Sequence, residues 1–141
     1  MSQALIDAAK ASVTVYNDKD WAGYERILTA DAVYDEVATG QRQTGAANIA
    51  AVSKAWAGAF PDSKASFDAV HVSGNTVILE LTWRGTHRGA LQMASGVLPP
   101  TGRKLEVRAI QVIEVTPEGK VRSVRHYFDV ASMLSQVGVS V

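Results

Sequence analysis

The sequence contains no cysteine, which excludes disulfides, thiolate metal sites and thiol catalysis. It also lacks an excess of charge, because fourteen basic and fourteen acidic residues balance without a run of either sign. The positive electrostatic field that would attract phosphates or anionic lipid is therefore missing, and we expect no nucleic-acid partner. No uncharged apolar run approaches the ~20 residues of a membrane span, which predicts a cytoplasmic protein without a membrane partner.

Glycine and proline are too sparse to mark a linker, since their densest region, residues 95–102, is short. A chain of 141 residues that is 47% hydrophobic is long enough for one domain that buries roughly two-thirds of its unfolded surface. We therefore predict a single domain over residues 1–141. The three histidines, at positions 71, 87 and 126, are scattered over different predicted elements, so the sequence predicts no metal. The glycines form no phosphate-binding loop, and we expect no other cofactor.

The period of the apolar residues changes at Pro61. Before it, helical spacing predicts three helices, ending at Asn17, Leu28 and Phe60, with one short strand over 32–37. After it, a period of two predicts long strands over 65–72, 76–87, 104–115 and 120–129. Helices that gather on one side of an antiparallel sheet define an α+β domain with space for a pocket beneath the helices.

Several phrases in the second half occur in a recognisable order. They are Gly-Thr-His-Arg-Gly at 85–89, Pro-Pro-Thr-Gly-Arg-Lys at 99–104, Gly-Lys-Val at 119–121, and Tyr-Phe-Asp at 127–129 before Met-Leu-Ser-Gln-Val-Gly at 133–138. In this order the chain resembles, over nearly its whole length, the SnoaL-like polyketide cyclases. These share the cone fold of nuclear transport factor two and ketosteroid isomerase.

The resemblance implies three N-terminal helices packed on a strongly curved, mostly antiparallel sheet that forms a cone with an interior pocket. It also implies a small hydrophobic ligand, polycyclic or otherwise carbonyl-bearing. The family includes aldol cyclases, epoxide hydrolases, dehydratases, isomerases and proteins with no known chemistry, so the reaction stays open at this point.

Asp129 matches the position at which the resemblance implies a general base that removes a proton beside a carbonyl. Burial under an apolar lid would raise the pKa of such a carboxyl and make it a useful base. The alternative is that Asp129 caps a helix beginning near Val130. The chain departs from the family at Ile113, where the cyclases carry an inward histidine that pairs with the base.

Strand alternation across the hairpin at 117–119 predicts which residues share a face with Asp129. We predict a concave face of Ala109, Gln111, Ile113, Ser123, Arg125, Tyr127 and Asp129. There Gln111 and Arg125 would orient a carbonyl or stabilise an enolate, or satisfy each other, and Tyr127 would donate its hydroxyl. The opposite, convex face is predicted to form a homodimer, and holds Arg108, Ile110, Val112, Glu114, Arg122, Val124, His126 and Phe128. A β-bulge near Arg125 would exchange the two faces.

Two further sets of residues complete the predicted site. His87, between Gly85 and Gly89, is a candidate partner acid, although a lone histidine is more often structural. Pocket walls suited to ring systems are predicted from large side chains, each of which could equally be core: Trp83, Trp56, Phe60, Met93 and Tyr34. The apolar segment 90–100 is predicted to be a lid.

Three functions follow from these residues. The first is an acid/base enzyme on a hydrophobic carbonyl compound, in its sharpest form the aldol-type cyclisation of a polyketide ester by Asp129. The second is an epoxide hydrolase, hydratase or isomerase of the same fold, with Asp35 or Glu36 as a second carboxylate. The third is a non-catalytic dimeric module that binds a small apolar ligand.

Overall fold

The computed structural model describes residues 2–93 and 95–139. Its four helices are α1 (Ser2–Asn17), α2 (Trp21–Ile27), α3 (Ala46–Ala59) and α4 (Val130–Gln136). Asp20 begins α2 by accepting a hydrogen bond from the Gly23 backbone N–H, 2.9 Å away. The three N-terminal helices predicted from the sequence are confirmed, and the short α4 follows the last strand.

Six of the eight strands form one sheet in the order β2-β1-β8-β7-β4-β3, and β5 and β6 form a separate small hairpin. Only the β1–β8 pair is parallel, so the sheet is mostly antiparallel, as predicted. The strands are β1 (Leu28–Glu36), β2 (Gln41–Thr44), β3 (Lys64–Ser73), β4 (Thr76–Thr86), β5 (Leu91–Met93), β6 (Gly96–Leu98), β7 (Lys104–Val115) and β8 (Val121–Phe128).

The helices cover one face of the sheet, and β7 shows the alternation that results. Every second residue of β7 from Leu105 to Val115 is buried, and the residues between them are exposed or half-buried. Full burial of one large apolar side chain stabilises the fold by about 1.5–3 kcal/mol. The main core lies between α1 and the sheet, and a second cluster lies under the β5–β6 hairpin and α4.

A β-bulge reverses the predicted orientation of β8. Glu114 pairs with Ser123 and Val115 pairs with Val121, so Arg122 is an extra residue without a partner on β7. From this point His126, not Arg125, shares the inner face with Gln111. The predicted concave positions of Ser123, Arg125 and Tyr127 are therefore wrong, and so are the convex positions of Val124, His126 and Phe128, which face inward.

The segment that follows β4 is held against the end of α3. Backbone N–H groups of Arg88 and Gly89 donate to the Ala59 carbonyl at 3.0 and 3.1 Å. A Cβ at Gly89 would lie 2.0 Å from the Gly58 carbonyl oxygen, so only glycine fits this approach. This contact fixes where the chain leaves the sheet and directs the 87–103 connection.

Candidate active site

A cavity lies between the helices and the concave face of the sheet. Its volume is about 90 Å³, measured as the space that the centre of a water molecule can occupy. Its walls are mainly apolar and aromatic, as in sites for small hydrophobic ligands. The lining residues are Ser12, Val13, Tyr16, Tyr24, Tyr34, Glu36, Val52, Ser53, Trp56, Phe60, Ser63, Trp83, Arg84, Leu105, Val107, Gln111, His126, Phe128 and Met133.

Glu36 brings a carboxyl group into this apolar space. Alternation along β1 points Ala32, Tyr34 and Glu36 to the same inner face, and Glu36 is only 5% exposed. Burial raises the pKa of Glu36, while hydrogen bonds from Thr39 and Trp56 act in the opposite direction. The Thr39 hydroxyl donates to Oε1 at 2.7 Å. Among the described residues that line the cavity, Glu36 is the only one with a carboxyl side chain.

His126 stands next to Glu36 in a row of polar side chains across three strands. Glu36 on β1, His126 on β8 and Gln111 on β7 are direct register partners, and all three are buried. Burial lowers the pKa of His126 to about 3, so the ring is neutral near pH 7. Its Nδ1 lies 2.8 Å from the Tyr34 hydroxyl, and its Nε2 accepts from the Trp83 indole N–H at 3.2 Å.

Three tyrosine hydroxyls also belong to the cavity wall. Burial raises the pKa of Tyr16 and Tyr24 to about 12 and that of Tyr34 well above 10, so all three are protonated at neutral pH. The Tyr16 hydroxyl is hydrogen-bonded to Ser63 at 2.6 Å. The Gln111 side chain is 5% exposed and also lines the cavity. Tyr34 and Gln111 thus bring groups that can donate hydrogen bonds to the same cavity as the Glu36 carboxyl.

Half of the sequence-predicted site residues lie in the cavity wall. They are Gln111, Trp83, Trp56, Phe60 and Tyr34. Their contact with a substrate stays a prediction.

Asp129 does not lie in the cavity, which corrects the prediction of a general base at this position. Its side chain is exposed and accepts a hydrogen bond from the Ser132 backbone N–H at 3.0 Å. It is the N-cap of α4, the alternative that the sequence left open. Arg125 and Tyr127 are also outside the cavity because of the bulge at Arg122, and Tyr127 is 40% exposed on the convex face.

His87 and Met93 are likewise placed outside the cavity. His87 is completely buried, its ring packs on Phe60 with 5.3 Å between centroids, and Nδ1 accepts from the Thr101 backbone N–H at 3.2 Å. Met93 packs in the second apolar cluster. Both predictions are therefore corrected: attachment of the 88–89 backbone to the end of α3 directs this connection away from the cavity.

Sequence reasoning missed His126 because a single unpaired residue reversed its face. It considered Glu36 only as a second carboxylate, although the inward alternation of Ala32, Tyr34 and Glu36 is readable from the sequence. Across residues 2–93 and 95–139, no group of three or more His, Asp or Glu side chains is arranged to hold a metal ion. No helix in those ranges combines the length and apolar character needed to cross a bilayer.

Comparison with known protein families gives a match over most of the chain. The sequence profile of the family described as SnoaL-like polyketide cyclase matches residues 6–137. No curated protein matches the sequence.

Solved structures match over almost the whole chain. IdmH, a proposed polyketide cyclase from Streptomyces antibioticus, has a TM-score of 0.79 at 23% identity, with 96% of this chain and 99% of that chain covered. A proposed SnoaL-like polyketide cyclase from Jannaschia sp. CCS1 has a TM-score of 0.83 at 15% identity, with 96% and 92% covered. An LEH-like epoxide hydrolase from M. tuberculosis has a TM-score of 0.73 at 20% identity, with 96% and 90% covered. At these identities the structural matches establish the cone fold.

Proposed function

Since the chain belongs to the SnoaL-like polyketide cyclase family, we propose that it is a cofactor-free acid/base enzyme that acts on a small hydrophobic carbonyl compound. Glu36 is the general base. The observation that carries the proposal is the buried Glu36 carboxyl, with a raised pKa, on the same face of β1 as the Tyr34 hydroxyl. A carboxylate whose pKa moves toward the working pH is a stronger base for a carbon acid.

The first chemical step is removal of a proton next to the carbonyl. The Glu36 carboxylate takes the proton, and the C–H electron pair becomes the carbon–carbon double bond of an enolate. The negative charge then moves to the carbonyl oxygen, where the Tyr34 hydroxyl donates a hydrogen bond and the Gln111 amide offers a second. Donors that already point at this oxygen stabilise the transition state without reorganisation.

The second step, in the cyclase form of the proposal, is ring closure. The enolate carbon attacks another carbonyl carbon of the same molecule, one carbon–carbon bond forms, and the new alkoxide takes the proton that Glu36 holds. The carboxylate is regenerated, and no oxidant or reductant is needed. The aldol-type cyclisation of a polyketide ester, expected from the sequence, thus keeps its chemistry with Glu36 in the place of Asp129.

Hydrogen exchange in D₂O tests the proton-removal step without the natural substrate. We expect the protein to accelerate incorporation of deuterium next to the carbonyl of small ring ketones and β-keto esters, followed by NMR. Glu36→Gln should reduce this rate about 10²- to 10⁴-fold, the usual contribution of a general base. Asp129→Asn is the matched control, because it neutralises a carboxylate outside the cavity, and it should retain the wild-type rate.

Other outcomes would overturn the proposal. Ligands that raise the melting temperature without deuterium exchange would identify a binding module. In a separate incubation in labelled water, a product that carries oxygen-18 in a new hydroxyl group would identify a hydratase or epoxide hydrolase. If Asp129→Asn lost as much activity as Glu36→Gln, Asp129 would again be a candidate for the general base.

We also propose that the protein is a homodimer through the convex face of the sheet. Ile110 and Tyr127 are direct partners on β7 and β8, and they are 41% and 40% exposed. Adjacent exposed apolar side chains on a sheet favour association. Light scattering should give twice the monomer mass, and Ile110→Lys should give the monomer mass; a monomeric wild type would contradict the proposal.

A further inference from the structure

The two ring nitrogens of His126 have different partners. The Trp83 indole N–H lies 3.2 Å from Nε2, and an indole nitrogen donates but never accepts. Nε2 must therefore be the unprotonated nitrogen. Because a neutral imidazole carries one proton, that proton is on Nδ1.

The proton on Nδ1 determines the direction of the next hydrogen bond. Nδ1 lies 2.8 Å from the Tyr34 oxygen, so the ring donates and the tyrosine oxygen accepts. The Tyr34 hydroxyl hydrogen must then point elsewhere. Within residues 2–93 and 95–139 the structure gives this hydroxyl no second partner, and Tyr34 lines the cavity.

We infer that Trp83 and His126 are positioning residues that make Tyr34 a hydrogen-bond donor toward the cavity. The ligand atom that receives the Tyr34 hydrogen is then an acceptor: a carbonyl or enolate oxygen fits, and a group that can only donate, such as an ammonium, does not. Without the Trp83 indole, the opposite tautomer would let Tyr34 donate to Nδ1, and its hydrogen would no longer be available to the ligand. The carbonyl character of this ligand rests on the proposed function, whereas the direction of the hydrogen bonds follows from the contacts alone.

His87 offers an internal reference for this reasoning. The Thr101 backbone N–H donates to His87 Nδ1 at 3.2 Å, and a backbone N–H is only a donor. In its neutral form, His87 thus carries its proton on Nε2. The two buried histidines of the chain should therefore show opposite tautomers, while His71 is exposed and hydrogen-bonded to Glu80.

The tautomers are measured directly by two-bond ¹H–¹⁵N correlation of the labelled protein at neutral pH. We expect the Nδ1–H pattern for His126 and the Nε2–H pattern for His87, with signals assigned through His71→Gln and His126→Gln. In Trp83→Phe, the His126 signals should move to the Nε2–H pattern or to a mixture. Trp21→Phe removes an indole outside the cavity and should leave the His126 pattern unchanged.

A matched pair of ligands measures the consequence at Tyr34. 2-Indanone and indane have similar shapes, but only 2-indanone has an acceptor oxygen. We expect the wild type and Trp21→Phe to prefer 2-indanone, and we expect this preference to shrink about threefold to tenfold in Trp83→Phe, the worth of one neutral hydrogen bond. Indane affinity measures how far Trp83→Phe changes the apolar wall of the cavity, and the ratio of the two affinities removes this contribution.

The inference is overturned by an Nε2–H pattern for His126 in the wild type, a result that does not depend on whether Trp83→Phe folds. It is also overturned if Trp83→Phe keeps both the Nδ1–H pattern and the full preference for 2-indanone. The proposed function fails separately, when Glu36→Gln leaves deuterium exchange unchanged. An unchanged exchange rate together with the expected tautomers would leave a ligand-binding cavity that selects carbonyl compounds.

Discussion

Replacing Glu36 by glutamine should change how the stability of the protein depends on pH. The structure buries this carboxyl and raises its pKa, so the folded state disfavours the ionised form. Glutamine has nearly the same shape and keeps an oxygen that can accept from Thr39, which donates to Oε1 at 2.7 Å in the wild type. The substitution therefore removes the ionisation and little else.

The sign and size of the effect follow from proton linkage. Below the unfolded pKa of glutamate, about 4.3, both states of the wild type bind the proton, and its stability relative to Glu36→Gln is greatest. As the pH rises through the raised folded pKa, this relative stability is lost, by about 1.36 kcal/mol for each unit of the raise. For a chain of this length, 1 kcal/mol corresponds to about 3–5 °C in melting temperature.

The assay is the melting temperature of both proteins between pH 4 and pH 8. The difference should move in favour of Glu36→Gln as the pH rises and should level off above the folded pKa. Any fixed cost of burying the new amide is the same at every pH and cancels from this trend. A difference that stays constant, or that moves in favour of the wild type, would refute the reasoning. The kcat/KM of the wild type should rise over the same pH range, because both measurements report the pKa of Glu36 in the free protein.

Two predictions concern stability away from the cavity. Asp129→Ala removes the N-cap of α4 and should cost about 1 kcal/mol in a denaturant melt, without loss of deuterium exchange; loss of exchange with unchanged stability would contradict the capping role. Gly89→Ala places a Cβ 2.0 Å from the Gly58 carbonyl oxygen and should lower the free energy of unfolding by about 1–3 kcal/mol in the same assay. Its control, Gly58→Ala, meets no atom within 4 Å and should stabilise α3 by up to about 1 kcal/mol; equal effects of the two substitutions would contradict the close approach.

The longer elements of this fold were readable from the sequence because each is encoded locally. β7 was predicted over 104–115 and is observed over Lys104–Val115, since its strict alternation begins and ends at turn residues. The short strands β2, β5 and β6 were missed. The residues of β2, Gln41–Thr44, show no alternation of apolar and polar side chains. This strand forms because its backbone pairs with β1. Such strands depend on a neighbour that the local sequence does not reveal.

The site was less predictable because strand alternation assigns residues to the two faces of a sheet only relative to a reference position. The hairpin at 117–119 served as that reference, and the predicted face of each β8 residue was counted from it. The extra residue Arg122 lies between this hairpin and His126, so the predicted face of every residue after Arg122 on β8 was reversed. Asp129 was misplaced for a different reason, because a carboxyl at the end of a strand suits a helix cap as well as a base.

The row of Glu36, His126 and Gln111 brings together residues from opposite ends of the chain. It requires the parallel pairing of β1 with β8 and the bulge on β8, since without the bulge Arg125 would occupy the place of His126. Buried polar groups of this kind cost stability unless they are partnered, and an apolar row would pack on the helices at lower cost. In the hydrogen-bond arrangement that we infer, the Tyr34 hydrogen is directed at the cavity, whose wall also contains Gln111. We propose that a ligand oxygen accepts from both groups, which would offset part of the cost of burying them.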